Sequence, residues 1–391
     1  MMFNLDQATL KEKGAVITTG EIKQQPALWA ETLQIFKQHQ TKLNEFLTQM
    51  SETANRPVRV LFTGAGTSAY VGDTVTPYLN QHANRQQFRF EAIDSTKLVS
   101  TPNEYFEANT PTLLVSFARS GNSPESVAAV DLAEKIVNQL WQLTITCNPD
   151  GQLVQHAEKD TNNFVLLMPK RANDQGFAMT GSFSCMALST LLTFDQATLA
   201  EKEKNVAMIQ AMGQEVVDRE AEIQKIVDLD FDRIIYLGSG GLAGLTREAQ
   251  LKVLELTAGK IATLFDSSMG FRHGPKSFVN GKTLVFDFVN NETYPRLYDV
   301  DILDEVAGDQ IALQTTAVGV ATDHNFAGPH FTFKQGTAKL PEGYLALPDV
   351  MFAQTLALLT SVKVGNTPDT PSATGTVNRV VKGVTIHPFT N

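Results

Sequence analysis

The sequence predicts an α/β protein of two tandem domains, each a doubly wound and mostly parallel sheet flanked by helices, with an N-terminal helix ahead of them. Two observations carry this. From Val58 onward, short apolar strand-like runs alternate with stretches of helical spacing, the pattern of a parallel sheet covered on both faces. The chain also repeats itself: RVLFTGAGTSA at 59–69 is echoed by RIIYLGSGGLA at 233–243, and TLLVSFARSGN at 112–122 by TLVFDFVNNET at 283–293. Two strand–turn signals recurring at nearly one offset point to a duplicated unit.

The elements follow in order. The first fifty residues hold one long helix, entered at Gln25-Pro26 and running through Met50 with apolar positions at helical spacing. VRVLFTG (58–64) is a strand, followed by a helix from Ser68. FRFEAID (88–94) is a strand, and PTLLVSFA (111–118) the central one. A helix from Pro124 to about Gln139 precedes the strands LWQLTITCN (140–148) and FVLLMP (164–169). The charged helical stretch 199–227 connects the two copies, and the Pro/Thr/Gly-rich tail after Asn366 is irregular. The expected division is an extension at 1–50, domains at 51–205 and 206–366, and a tail at 367–391.

Composition narrows the function. A formal charge of −10 and a pI near 5.3 argue against nucleic acid or an anionic membrane as the main partner. No apolar run approaches membrane-spanning length, and MMFNLDQATLKEKG lacks the basic region and apolar core of a signal peptide. Cys147 and Cys185 stand in apolar or small-residue surroundings and read as buried free thiols, so a cytoplasmic location is expected.

Chemistry concentrates in a few places. After the central strand, Gly121 allows a tight turn, Ser123 stands at the N-cap and Pro124 at the first helical position. Ser120, Ser123 and the backbone between them thus meet a helix N-terminus, where an anionic group is best held. Alone, this is equally a well-capped helix. The turn Gly64–Ser68 strengthens the anion reading, because adjacent parallel strands bring Thr67 and Ser68 to the same sheet edge. A dinucleotide site fits poorly: Ala69 stands where the third glycine belongs, and Asp94 lies roughly thirty residues after the loop rather than about twenty.

In the second copy, Glu248, Lys252 and Glu255 share one helix face. Such a face is commonly a solvated ion-pair stripe. Leu254, Leu256 and the small residues Thr257-Ala258-Gly259 instead suggest close packing, and a carboxylate in a partly dry site works as a base near neutrality. His273 lies in the turn Phe271–Pro275 and, by itself, reads as a surface residue. His324 and His330 lack a third ligand, so no metal is expected. The second copy has lost the hydroxyls of the first, with Leu242 for Ser68 and Asn290, Asn291 and Glu292 in the turn.

Together these residues resemble the sugar isomerase (SIS) family. The GAGTS loop and the turn Ala118-Arg119-Ser120-Gly121-Asn122-Ser123 are similar to its phosphate-binding motifs. Lys252-x-x-Glu255 followed by His273-Gly274-Pro275 resembles the catalytic helix and ring-opening histidine of the isomerase half of glucosamine-6-phosphate synthase, and Asn378–Thr385, with Lys382, its C-terminal segment. Thr19-Gly20-Glu21-Ile22, Gln24-Gln25-Pro26 and Trp29 are similar to the N-terminal signature of the AgaS group of galactosamine-6-phosphate deaminase/isomerases.

The resemblance implies a cofactor-independent enzyme converting D-galactosamine 6-phosphate to tagatose 6-phosphate and ammonia. Its phosphate would be held by Thr67, Ser68, Arg119, Ser120 and Ser123, with Glu255, His273, Lys252 and Lys382 as the catalytic residues. Arg119 departs from the synthase motif, so phosphate contacts must be redistributed toward its guanidinium. The partner implied is a small amino sugar phosphate. The assembly implied is a homodimer or dimer of dimers, with His273 reaching across the subunit interface. A ketose–aldose isomerase or deglycase without ammonia release is the nearest alternative. A non-catalytic sugar-phosphate sensor would leave Glu255, His273 and Lys382 unexplained.

Overall fold

The computed structural model describes residues 1–158, 160–381 and 383–390. The chain runs through helices α1 (Gln7–Glu12), α2 (Val16–Lys23) and α3 (Gln25–Ala54), then β1 (Val58–Thr63), α4 (Thr67–His82), β2 (Phe88–Ala92), α5 (Ser95–Ser100) and α6 (Pro102–Tyr105). β3 (Thr112–Ala118), α7 (Pro124–Ile136), β4 (Leu140–Thr146), α8 (Gln152–Ala157), β5 (Asn163–Leu167) and α9 (Gly181–Phe194) follow. Helices α10 (Leu199–Asp218) and α11 (Glu220–Val227) lead to β6 (Arg233–Gly238), α12 (Gly241–Leu256), β7 (Ala262–Ser267) and β8 (Thr283–Val289). The last elements are α13 (Thr293–Gly308), β9 (Gln314–Val320), β10 (His330–Phe333) and α14 (Glu342–Lys363).

Two compact units result. One comprises 31–174, 181–198 and 377–391 and holds the sheet β2-β1-β3-β4-β5; the other comprises 1–30, 175–180 and 199–376 and holds β7-β6-β8-β9-β10. Every strand pairing is parallel, and the two sheets share one strand order. Strands β1, β3 and β8 are buried along their whole length, which is why they read as continuous apolar runs rather than alternating ones. In the β1–β5 unit, Phe62, Phe90, Phe117 and Phe194 form one aromatic cluster. In the β6–β10 unit, Tyr236 stacks between Phe286 and Phe288.

The N-terminal fifty residues hold α1 and α2 besides the long helix expected there. Asp6 caps α1 by accepting the Thr9 N–H at 2.9 Å. The α2 cap comes from far along the chain: Asp369 accepts the N–H groups of Ile17 and Thr18 at 3.0 and 2.8 Å. A cap supplied at that sequence distance leaves no local signal. Residues 1–30 are not set apart from the β6–β10 unit but built into it. Gln25 donates to Gln354 at 2.6 Å, and Glu220 accepts from the backbone of Met2 and Phe3. α14 is apolar and long enough to cross a membrane by length and composition, yet 94% of its most apolar window is buried; it is a core helix.

The corner after β1 is tight. A Cβ on Gly64 would lie 2.7 Å from the Ser68 backbone, and Gly66 holds φ 57° with ψ −129°, a region reserved for glycine. Gly64→Ala is expected to destabilise by about 1–3 kcal/mol through overpacking against backbone, and Gly66→Ala by about 1–3 kcal/mol through strain. Urea midpoints at unchanged slope measure both.

Candidate active site

In the β1–β5 unit, β1 and β3 are parallel neighbours, with Thr63 level with Ser116. Their following turns therefore reach the same carboxyl edge of the sheet. Thr67 and Ser68 open α4 and are buried. After β3, Gly121 takes φ +67°. The turn is clamped to α8 and the loop before it: the Ser120 carbonyl accepts from Asn148 at 2.8 Å, and the Gly121 carbonyl accepts the Leu153 N–H at 3.2 Å. The Ser120 hydroxyl accepts the Asn122 N–H at 3.3 Å. Ser123 and Pro124 take the N-cap and first helical positions, but the Ser123 hydroxyl makes no cap bond to its own helix. Two helix N-termini and the hydroxyls of Thr67, Ser68, Ser120 and Ser123 thus collect at one edge, the arrangement that holds a phosphate.

Arg119 is buried, and its Nη2 donates to the Arg379 carbonyl at 2.6 Å. Arg379 in turn donates from Nε to the Asp174 carbonyl at 2.9 Å. The guanidinium expected at the phosphate therefore also holds the C-terminal segment against this turn. Lys382, three residues further on, lies outside the described residues.

In the β6–β10 unit, α12 carries an ion triad. The Lys252 ammonium, with no exposed surface, lies 2.7 Å from Glu255 Oε2 and 3.2 Å from Glu248 Oε1. Burial acts to depress the Lys252 pKa, but attraction and hydrogen bonding from the two carboxylates together outweigh it and hold the value above the ordinary one. Glu248 is fully buried, whereas the Glu255 side chain keeps 23% of its surface. Of the triad, Glu255 is the carboxylate a reactant can touch. His273 is exposed, closing a single 3-10 turn, Gly270–Arg272, through its N–H to the Gly270 carbonyl at 2.9 Å. Its neighbours are pinned to the C-terminal end of α13 and its C-cap: Arg272 to Glu305 at 2.6 Å, and Lys276 to Glu305 and Asp309 at 2.5 and 2.6 Å.

Comparison with known proteins adds the family. The sequence profile of the SIS domain matches residues 54–194. The chain is 44% identical to the D-galactosamine-6-phosphate deaminase AgaS of Escherichia coli over 95% of its own length and 96% of that protein's. The chain belongs to the AgaS family. A crystal structure from Clostridium novyi NT superimposes on this AgaS-family chain with a TM-score of 0.93, 44% identity and 99% coverage of both chains. That of tagatose-6-phosphate ketose/aldose isomerase from Escherichia coli does so with a TM-score of 0.85, 40% identity and coverage of 95% and 97%.

Within this AgaS-family chain, Lys252 and Glu255 meet directly, as do Arg119 and the tail. Two participants were not singled out as site residues from the sequence. Glu248 stood on the right helix face, but only the structure reveals that it is the fully buried partner of the lysine. Glu342, the first residue of α14, accepts the Leu242 N–H at the start of α12 at 3.1 Å. Nothing in a lone Glu one hundred residues downstream announces that contact. Burial pushes its carboxyl up to about 7, against the Leu242 and Gly241 N–H groups and Asn290, which pull it down. Cys147 and Cys185 are buried free thiols, and burial pushes Cys185 up to about 12.

Two outcomes follow from these charges. Lys252→Met leaves Glu248 buried beside Glu255 without a cation and is expected to cost about 3–5 kcal/mol, read from urea unfolding. For Glu342, the folded state holds the proton more tightly than the unfolded one. Its contribution to stability is therefore fully present below the ordinary value of 4.5 and is lost as pH rises through about 7. Glu342→Gln should remove that component, flattening stability between about pH 5 and 7 by up to about 1.4 kcal/mol per unit.

Proposed function

We propose that this chain converts D-galactosamine 6-phosphate to tagatose 6-phosphate and ammonia in amino sugar catabolism. The observation that carries this is the reachable Glu255 carboxylate held against a buried lysine, in a chain whose AgaS relatives bear the deaminase name. The phosphate binds at Thr67, Ser68, Ser120 and Ser123, with Arg119 beside them. Anchoring the remote end orients the reacting carbons. His273 opens the hemiacetal ring by moving the proton between O1 and O5. Glu255 takes the proton from C2 of the open aldehyde, forming an enolamine, and returns it to C1. The resulting 2-imino sugar is attacked by water, and ammonia leaves as the C2 ketone forms. Lys252 and Lys382 stabilise negative charge on oxygen along the way. The C1 aldehyde acidifies the C2 proton, so the scheme itself calls for neither metal nor organic cofactor.

The exposure of His273 on a rigidly pinned turn supports its service in the site of a second copy, in a homodimer or dimer of dimers in the cytoplasm. The isomerase name of the Escherichia coli structure supports a second reading, ketose–aldose interconversion by the same Glu255 without deamination. Ammonia and ketose release from galactosamine 6-phosphate, with glucosamine 6-phosphate and the N-acetyl sugar in parallel, separates the two. Glu255→Gln is expected to lower turnover by at least about a thousand-fold, since it removes the base, while binding of a non-reacting sugar phosphate stays within about two-fold. Ammonia release by Glu255→Gln at the wild-type rate would overturn the assignment. Ketose formation without ammonia would leave Glu255 in place and select the second reading.

A further inference from the structure

The strand–glycine–helix corner that makes the phosphate turn is built twice. Gly240, the N-cap of α12, holds φ 59° and ψ −131°, against φ 57° and ψ −129° at Gly66, the N-cap of α4. Cβ atoms on Gly64 and Gly238 would lie 2.7 and 2.9 Å from the helix backbone that follows each. Such a corner aims the first N–H groups and the positive end of the helix dipole at whatever rests against it.

In the β6–β10 unit something does rest there, and it is the chain itself. Glu342 is only 7% exposed. Its Oε1 accepts the Leu242 N–H at 3.1 Å. A Cβ on Gly240 would lie 2.6 Å from that oxygen, so the second glycine makes room for this carboxylate. Glu342 is also in the first turn of α14, which puts the positive ends of two helices on one side chain. Asn290 follows β8 as Arg119 follows β3, and Asn291 beside it donates to the Leu340 carbonyl at 2.9 Å. Both turns of the second corner therefore grip the segment entering α14.

We infer that Glu342 is the built-in occupant of a second anion cradle and, by seating there, is a positioning residue for α12 and its Lys252–Glu255 pair. A carboxylate reproduces the acceptor oxygens of an external anion while being tied to α14, so the cradle is filled permanently. The kinetic part of this inference rests on the proposed role of Glu255; the occupancy part does not.

Glu342→Ala empties the cradle, and formate, a free carboxylate small enough to enter, is the probe. The melting temperature of the full chain is measured in sodium formate and in sodium chloride of equal ionic strength, alongside ammonia release from galactosamine 6-phosphate. Formate is expected to raise the melting temperature of Glu342→Ala by several degrees more than that of the wild type, as binding to the folded state alone requires. The variant should lose about ten-fold in kcat with KM within about two-fold, and formate should restore at least half of kcat. Should Glu342→Ala not fold, Glu342→Gln, of the same shape and retaining one acceptor, is expected to fold and to lower kcat by about two- to five-fold at constant KM. Equal formate response in variant and wild type would overturn the occupancy. Wild-type kcat in Glu342→Ala or Glu342→Gln, or a loss confined to KM, would overturn the positioning role. A wild-type chain inactive on amino sugar phosphates would void the reading of Glu255 instead, with the melting comparison still deciding the cradle.

Discussion

An ammonium with no exposed surface sets the terms for helix α12. Taking Lys252 out of water unaided would cost several kcal/mol, and Glu248 and Glu255 on either side are what make its burial tolerable. For three charges four and three residues apart to converge, α12 must be continuous and one face must turn inward. That requirement fixes the rotation of the helix about its axis. It also divides the labour between the carboxylates. Glu248 is locked inside as the permanent counter-ion, and Glu255, at the outer end, is oriented by the same lysine while remaining reachable.

The duplicated corner extends this logic. Two glycines with nearly the same dihedrals start two helices of equal length after two strands, so the backbone device is the same in both copies. The side chains around it differ. In the first copy Thr67, Ser68, Ser120 and Ser123 place hydroxyls at the corner, where we propose that the substrate's phosphate binds. In the second, Leu242 is packed into the core, Asn291 donates to the Leu340 carbonyl, and the Glu342 carboxyl of the same chain accepts the Leu242 N–H. Beneath the second corner, Asp299 accepts from Ser268, Ser239 and the Asn290 N–H, so those polar groups too are satisfied internally.

How much of this could be read beforehand follows from where each signal lies in the chain. β1, β3, β6 and β8 were legible because burial on both faces writes itself as a short apolar run, and α3 because one face of it alternates at helical period. The spacing of Glu248, Lys252 and Glu255 was legible as a shared face; that one acid would be wholly buried and another partly open depends on what packs over α12. α14 left no periodic mark, being buried on every side. The Asp369 cap, the Arg119–Arg379 bond and the Glu342 seat join residues hundreds or about one hundred positions apart, and each end is an ordinary polar residue until the other is known.

The contrast between the two corners has a chemical reason. A phosphate site must exchange its ligand at every turnover, so its donors have to stand ready and its occupant has to leave. Proton transfer between two carbons makes the opposite demand: misplacing the base by about an ångström is enough to cost two orders of magnitude in rate. A corner closed by its own carboxylate cannot exchange, and the helix it caps is held at its N-terminus by Glu342 and along its inward face by Lys252 and Glu248. The same backbone device occurs in both units, and on the proposed roles, filling it from outside or from within suits one unit to binding and the other to holding a base still.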